Sequence, residues 1–258
     1  MSAAIITRDG VAEEFGDPAR DYELASVTKL LVAEAVLVAV EEGAVELDDP
    51  AGPPGATVAH LLAHASGLAF DSRDIEAGVA EKRIYSSAGF EILAETVEQA
   101  AGIAFPEYLA DAVSAPLGLE STELHGPAGH GARSSTADLA RFAQELLAPQ
   151  ILAPETLADA TSVQFPGLDG FVPGYGRHRP NDWGLGFEIR SKKSPHWTGA
   201  GNSPRTFGHF GQAGTFLWVD PDLQAACVVL TDRSFGPWAK PLWSEFNDRV
   251  VSELSSQK

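Results

Sequence analysis

The sequence predicts an α/β (α+β) fold in which one antiparallel sheet, built from both ends of the chain, is flanked by N- and C-terminal helices and interrupted by an inserted helical region. Three observations predict it. Strand-like stretches open the chain and return after Trp183. A helix beginning near Ser26 is apolar around nearly its whole circumference, which means burial on all sides. Between them the texture changes to short helices joined by Gly, Pro, Ser and Asp. The discontinuous sheet unit is expected over residues 1–47 and 183–258, and the helical insert with its site-shaping loops over 48–182.

In chain order, Ala3 to Thr7 is short and apolar and runs into Asp9-Gly10, a turn signal, so Val11 to Phe15 can return as the second strand of a hairpin. The buried helix covers about Ser26 to Glu42 and stops at Gly43. Thr57 can cap a helix running to His64, with Gly67 closing the next turn. Phe90 to Ala101 has helical periodicity and ends at Gly102, and Ser135-Thr136-Ala137-Asp138 reads as a capping box opening a helix through Leu147. Gly184 to Arg190, Arg205 to His209, Thr215 to Val219 and Gln224 to Thr231 each suit a strand. An amphipathic helix over roughly Ala239 to Leu254 closes the chain.

Composition narrows the function. A chain of 258 residues with 44% hydrophobic and 21% charged residues is that of a globular protein with ample core. Its 36 acidic against 18 basic residues give a net charge of -18, a field that repels nucleic acid and an anionic membrane surface. Cys227 is the single cysteine, so no intramolecular disulfide forms, and its apolar neighbours predict a buried strand thiol. The opening MSAAIITRDG lacks the basic region of a signal peptide, and a cytoplasmic location is expected. The longest apolar run carries Glu34 and falls short of the ~20 residues that cross a membrane.

The chemistry centres on Ser26-Val27-Thr28-Lys29. Positions three apart share a helix face, so the Ser26 hydroxyl and the Lys29 ammonium can meet where an apolar helix begins. A serine needs an adjacent base to become a nucleophile. Ser-x-x-Lys alone is a cheap pattern, and the chain carries a second copy at Ser255 to Lys258, where no function is expected.

What distinguishes the first copy is its company: LASVTK around Ser26, LLAHASGL at 61–68, IYSSAGFEIL at 84–93, SSTADLARFAQELL at 134–147 and GHFGQAGTFLWVDP at 208–221. In these blocks and their order the chain resembles the serine β-lactamase and penicillin-binding protein superfamily, closest to the branch of class C β-lactamases, D-alanyl-D-alanine carboxypeptidases and esterases. The resemblance implies the β-lactamase/transpeptidase-like fold and an acyl-enzyme mechanism. It implies Ser26 as nucleophile, Lys29 as its partner and Tyr85 as the tyrosine of a Tyr-x-Asn motif. His209-Phe210-Gly211 falls on the third motif, which lies on a strand lining the cleft. The backbone N–H groups of Ser26 and Gln212 would form the oxyanion hole, with Ser87, His209, Phe210 and Gly211 against the substrate.

Two departures bear on substrate. Ser87 stands where the family has asparagine, and Phe210 where it has threonine or serine, whose hydroxyl helps hold the carboxylate of penicillins and D-Ala-D-Ala peptides. Arg205, or His209 in its charged form, would have to compensate. The expected function is therefore a cytoplasmic serine hydrolase acting on a small-molecule ester or amide. A β-lactamase or D-alanyl-D-alanine carboxypeptidase is the alternative, and a non-catalytic ligand-binding member of the fold is the third reading. No cofactor and no metal are expected. His60 and His64 have a zinc-compatible spacing but no His-Glu-x-x-His glutamate, so packing and turn capping are expected of them. Loops near 66–84 and 164–182 are expected to shape the pocket, and Phe165, Phe171, Tyr175, Trp183 and Trp197 to supply an apolar wall.

Overall fold

The computed structural model describes residues 1–256 and opens with a hairpin of β1 (Ser2–Thr7) and β2 (Gly10–Phe15). A short β3 (Asp21–Glu23) and a 3-10 turn over Ala25–Val27 lead into α1 (Thr28–Glu41). The middle of the chain forms α2 (Val58–Leu62), α3 (Ser87–Ala101), α4 (Phe105–Leu109) and α5 (Ala115–Leu117). It continues through β4 (Glu123–Leu124), β5 (Ala132–Ser135), α6 (Thr136–Leu147) and α7 (Pro154–Ala160). A hairpin of β6 (Gly170–Val172) and β7 (Gly176–His178) precedes β8 (Glu188–Ile189) and β9 (Phe207–Gly211). Then come β10 (Thr215–Asp220), β11 (Ala225–Leu230) and α8 (Ala239–Ser256). The last two residues of the second Ser-x-x-Lys copy lie outside the described residues.

The principal sheet has the order β2-β1-β11-β10-β9-β8, all neighbours antiparallel, so the first and last strands of the chain pair inside it with Ile5 opposite Cys227. Strand alternation divides the core in two. Ala4, Ile6, Val228 and Leu230 face the core that holds α1 and α6, while Ala3, Ile5, Cys227 and Val229 face Trp243, Val250 and Val251 of α8. Cys227 is buried as expected, and burial raises its thiol pKa. Helix α1 is enclosed from Thr28 to Ala39, which explains its apolar circumference. Residue 186 presses so close to it that a Cβ there would collide with the Ala33 side chain, and Gly186 also has φ +92°.

Several elements differ from expectation for local reasons. The Gly184–Arg190 strand shrinks to Glu188–Ile189 because Gly184 N–H donates to Phe187 O at 2.8 Å and turns the chain. Helix α1 starts at Thr28 rather than Ser26, and α2 ends at Leu62. Thr57 Oγ1 bonds to His60 Nδ1 at 2.8 Å instead of capping the backbone. Ser135 does cap α6, accepting from Asp138 N–H at 3.2 Å. The Asp138 carboxylate completes no box; it accepts from Ser121 N–H and Thr122 Oγ1–H in the loop alongside. No helix among the described residues is long and apolar enough to cross a membrane.

Candidate active site

The entry to α1 is built by close contact with β9. The Thr215 hydroxyl donates to Leu24 O at 2.8 Å, and a Cβ at Gly211 would strike Leu24 O and lie 2.6 Å from Thr215 Oγ1. Only glycine lets the strand approach the turn this closely. Ala25 sits at φ +47°, a left-handed conformation that costs an L residue strain. The 3-10 turn that follows delivers Ser26, half-buried, to a cavity of about 370 Å³. Tyr85, His209, Phe210 and Gln212 line the same cavity, so the chain brings the nucleophile candidate, the second motif and the third motif together.

Lys29 lies beneath this cavity and is fully buried. Its ammonium donates to Gly129 O at 2.7 Å and to Ser87 Oγ at 3.1 Å, and sits 4.6 Å from the centre of the Tyr85 ring. Among the described residues it has no carboxylate partner within ion-pair distance and no hydrogen bond to Ser26. Burial lowers its pKa to about 7, with Glu91 opposing weakly. Near neutral pH the amine is therefore unprotonated in about half of the molecules.

Tyr85 stands between the two. Burial raises its phenol pKa, so it stays protonated, while the nearby Ser26 side chain pulls the other way. The phenol oxygen nonetheless makes no hydrogen bond of good geometry. His64 packs under Tyr85 with ring centres 4.7 Å apart and accepts Ser86 N–H on Nδ1 at 3.2 Å. His60 serves elsewhere, stacking on Phe165 at 4.3 Å.

His209 is neutral. Its Nδ1–H donates to Phe210 O at 2.6 Å, leaving Nε2 as a buried, unpartnered acceptor. Burial, followed by the Lys29 charge, lowers its pKa to about 3. The charged form considered as a carboxylate receptor is thus disfavoured by the site itself. Arg205 cannot fill that role either: it is exposed, ion-paired to Asp222 at 2.9 Å, and lines a different surface depression. Phe210 packs among Tyr175, Trp197, Phe235 and Trp243. Of the aromatic residues expected to wall the pocket, Trp183 lines the cavity. Trp197 and Tyr175 pack behind it, Phe165 stacks on His60, and Phe171 is 65% exposed. The loops do contribute as expected, through Phe70, Val172 and Pro173.

Two participants were missed. Gly129 supplies the carbonyl under Lys29, and a Cβ there would come within 2.8 Å of the Ser87 Cβ. Glu188 reaches the cavity wall from β8. Its Oε1 accepts from Lys193 Nζ at 2.9 Å and from His196 Nε2–H at 3.2 Å, and its Oε2 accepts Trp197 Nε1–H at 2.7 Å. The His196 tautomer follows from Thr198 N–H donating to its Nδ1 at 3.3 Å. Burial alone would raise the Glu188 carboxyl, but Lys193 and then His196 outweigh it and hold the group ionised. Neither residue belongs to a short motif; only a buried lysine so near a buried glutamate in a β region could have pointed to the second.

A family model described as Beta-lactamase matches residues 17–246. A putative D-alanyl-D-alanine carboxypeptidase of Salmonella enteritidis PT4 (strain P125109) is 27% identical over 214 residues, 62% of this chain and 47% of that protein. The chain thus spans about half the length of that relative. The D-alanyl-D-alanine-carboxypeptidase/endopeptidase AmpH of Escherichia coli (strain K12) is 22% identical across 91% of this chain and 76% of its own. Among solved structures, a beta-lactamase from Mycobacterium bovis superposes with a TM-score of 0.97 at 58% identity, covering 98% of this chain and 94% of that one.

Proposed function

The chain belongs to the beta-lactamase family of serine hydrolases, and from that premise we propose that it hydrolyses an uncharged ester or small amide through an acyl-enzyme on Ser26. The observation that carries the reading is electrostatic. Among the described residues, the only ionised side chain on the cavity wall is the Glu188 carboxylate. His209 is neutral, Arg205 is remote, and Phe210 offers no hydroxyl. Apart from the two backbone N–H groups assigned to the oxyanion, a substrate carboxylate would meet the Glu188 carboxylate and no cationic side chain on that wall.

In the proposed mechanism the neutral Lys29 amine receives the Ser26 proton, relayed by the Tyr85 phenol, as Oγ attacks the carbonyl carbon. The ammonium so formed donates to Gly129 O and Ser87 Oγ, which offset part of its desolvation. The backbone N–H groups of Ser26 and Gln212 hold the oxyanion, at roughly 3 kcal/mol per donor by comparison with other hydrolases. The Gln212 carbonyl accepts Phe235 N–H at 2.8 Å, which fixes that turn. When the tetrahedral species collapses, the bond to the leaving oxygen breaks and that oxygen takes the proton back from Lys29 through Tyr85. Water then repeats the sequence on the acyl-enzyme, releasing the acid and restoring Ser26. Ser87 accordingly serves Lys29, while His209 Nε2 is placed to accept a donor from the substrate.

The second reading, turnover of a β-lactam or a D-alanyl peptide, is favoured by the names of the relatives. Parallel assays with a p-nitrophenyl ester and a chromogenic cephalosporin, and intact mass after a fluorophosphonate, separate the possibilities. Ester turnover with a mass increase that Ser26→Ala abolishes supports the first reading. Preferential cephalosporin turnover supports the second, and no adduct with both substrates idle would leave a binding role.

A further inference from the structure

The catalytic cavity is not closed at its outer wall. Phe70, Tyr85, Val172 and Pro173 line it and also line a larger cleft of about 620 Å³ on their other side. A cavity of that size lies within the roughly 300–1,000 Å³ typical of small-molecule sites. Its walls are the hairpin β6–β7 and the segment ending at Tyr85. They are rigidly joined. Arg83 N–H donates to Asp169 O at 2.8 Å, and the buried Arg83 guanidinium donates to the carbonyls of Asn181 at 3.0 Å and Gln164 at 2.8 Å. A Cβ on Gly170 would lie 2.5 Å from Arg83 O, so the hairpin sits as close as glycine allows. The cleft is therefore preformed.

Its chemistry is graded. The end shared with the catalytic cavity is aromatic and aliphatic, and two aromatic side chains stand at its rim although they face water: Phe70 is 52% and Phe171 65% exposed. Charged side chains line the remainder: Asp169 and Arg177 pair at 3.0 Å, the Arg83 guanidinium is taken up by backbone carbonyls, and Glu76 and Lys82 are exposed to water. Exposed aromatics around an opening that leads to a nucleophile mark a surface kept for something apolar.

We propose that the outer cleft binds an apolar tail of the substrate, a medium-length acyl chain or a comparable flat group, while its ester carbonyl lies at Ser26. This rests on the reading of Ser26 as the nucleophile of an ester hydrolase. The tail passes between Phe70 and Pro173, and Phe171 covers it. Apolar burial supplies affinity, and the preformed walls keep the ordering cost low.

Equilibrium titration of the Ser26→Ala protein with p-nitrophenyl acetate and p-nitrophenyl octanoate measures tail binding without turnover. The octanoate is expected to bind at least about tenfold more tightly. In the Ser26→Ala/Phe171→Ser protein that ratio is expected to fall to about two or less. Equal binding of the two esters, or a tail preference that survives Phe171→Ser, overturns the proposal. Turnover of both esters by the unaltered protein, run in parallel, keeps the two questions apart. If neither is hydrolysed yet the Phe171-dependent preference is present, the cleft stands and the esterase reading falls. If acetate is hydrolysed and no preference exists, the esterase reading stands and the cleft falls.

Discussion

The Lys29 ammonium donates to the carbonyl of Gly129 across 2.7 Å, and that bond and a second to Ser87 Oγ at 3.1 Å are its hydrogen bonds among the described residues. Two neutral acceptors compensate a buried cation only in part. The shortfall is what lowers its pKa to about 7.

The shortfall has a cost in stability. The unfolded lysine keeps its proton up to the ordinary lysine value of 10.5, while the folded one releases it above about 7. Between those values the unfolded chain binds more protons, so stability rises with pH, and the penalty is full below about 7. Lys29→Met is therefore expected to raise the unfolding free energy at pH 6 by about a few kcal/mol, read as a higher thermal midpoint, while abolishing ester turnover. Calorimetry and a p-nitrophenyl ester assay on the same sample check both. A less stable variant would argue that the Gly129 and Ser87 bonds outweigh desolvation.

Glu34 is a second strained group, buried in α1 with neither carboxyl oxygen hydrogen-bonded among the described residues. Burial, then Glu145 and Glu41, raise its pKa to about 8. Here the folded state holds the proton longer, so stability falls as pH rises from the ordinary glutamate value of 4.5 to about 8. Glu34→Leu should gain over the parent protein progressively across that window, reaching a few kcal/mol at its upper end. Urea denaturation at several pH values measures the difference. A gain independent of pH would show that Glu34 does not titrate there.

Glu188 and Lys193 form a buried pair, each with 1% of its side chain accessible. Glu188→Gln alone leaves the Lys193 charge uncompensated and is expected to cost about 3–5 kcal/mol in urea denaturation. Glu188→Gln/Lys193→Met should recover most of that loss. With the anionic wall removed, the double variant should also increase cephalosporin turnover relative to ester turnover. Equal losses for the single and double variants would mean that the pair is not coupled.

Gly211 offers a geometric check. A methyl there strikes Leu24 O and crowds the Ala25 side chain at 3.1 Å, so Gly211→Ala should displace the Ser26 turn from β9. A loss of about a hundredfold in kcat/KM is expected from a shift near 1 Å, with circular dichroism unchanged. Full activity would mean that the turn does not need this contact.

These residues mark where sequence and structure part. Helix stops were legible because Gly43 at φ +72° and Gly102 at φ +76° are conformations that glycine takes without strain. The β1–β2 hairpin and β9 to β11 were legible because short strand-forming runs, buried nearly throughout in β1 and throughout in β9 to β11, are bounded there by turn residues. The small sheet β3-β5-β4 was not, since its strands of two to four residues are too short to show a period. Ser26 and Lys29 were legible through their spacing at the mouth of an apolar helix. Gly129 acts through its backbone carbonyl, which no side-chain pattern announces, and Glu188 acquires its place only when β8 pairs with β9.

The rate at which a fluorophosphonate modifies Ser26, followed by intact mass between about pH 5 and 9, asks whether burial of Lys29 arms the serine. The rate should climb along a single titration with a midpoint near 7, level off above it, and disappear in Lys29→Met. A rate flat across the range, or one still climbing toward the ordinary lysine value of 10.5, would contradict it.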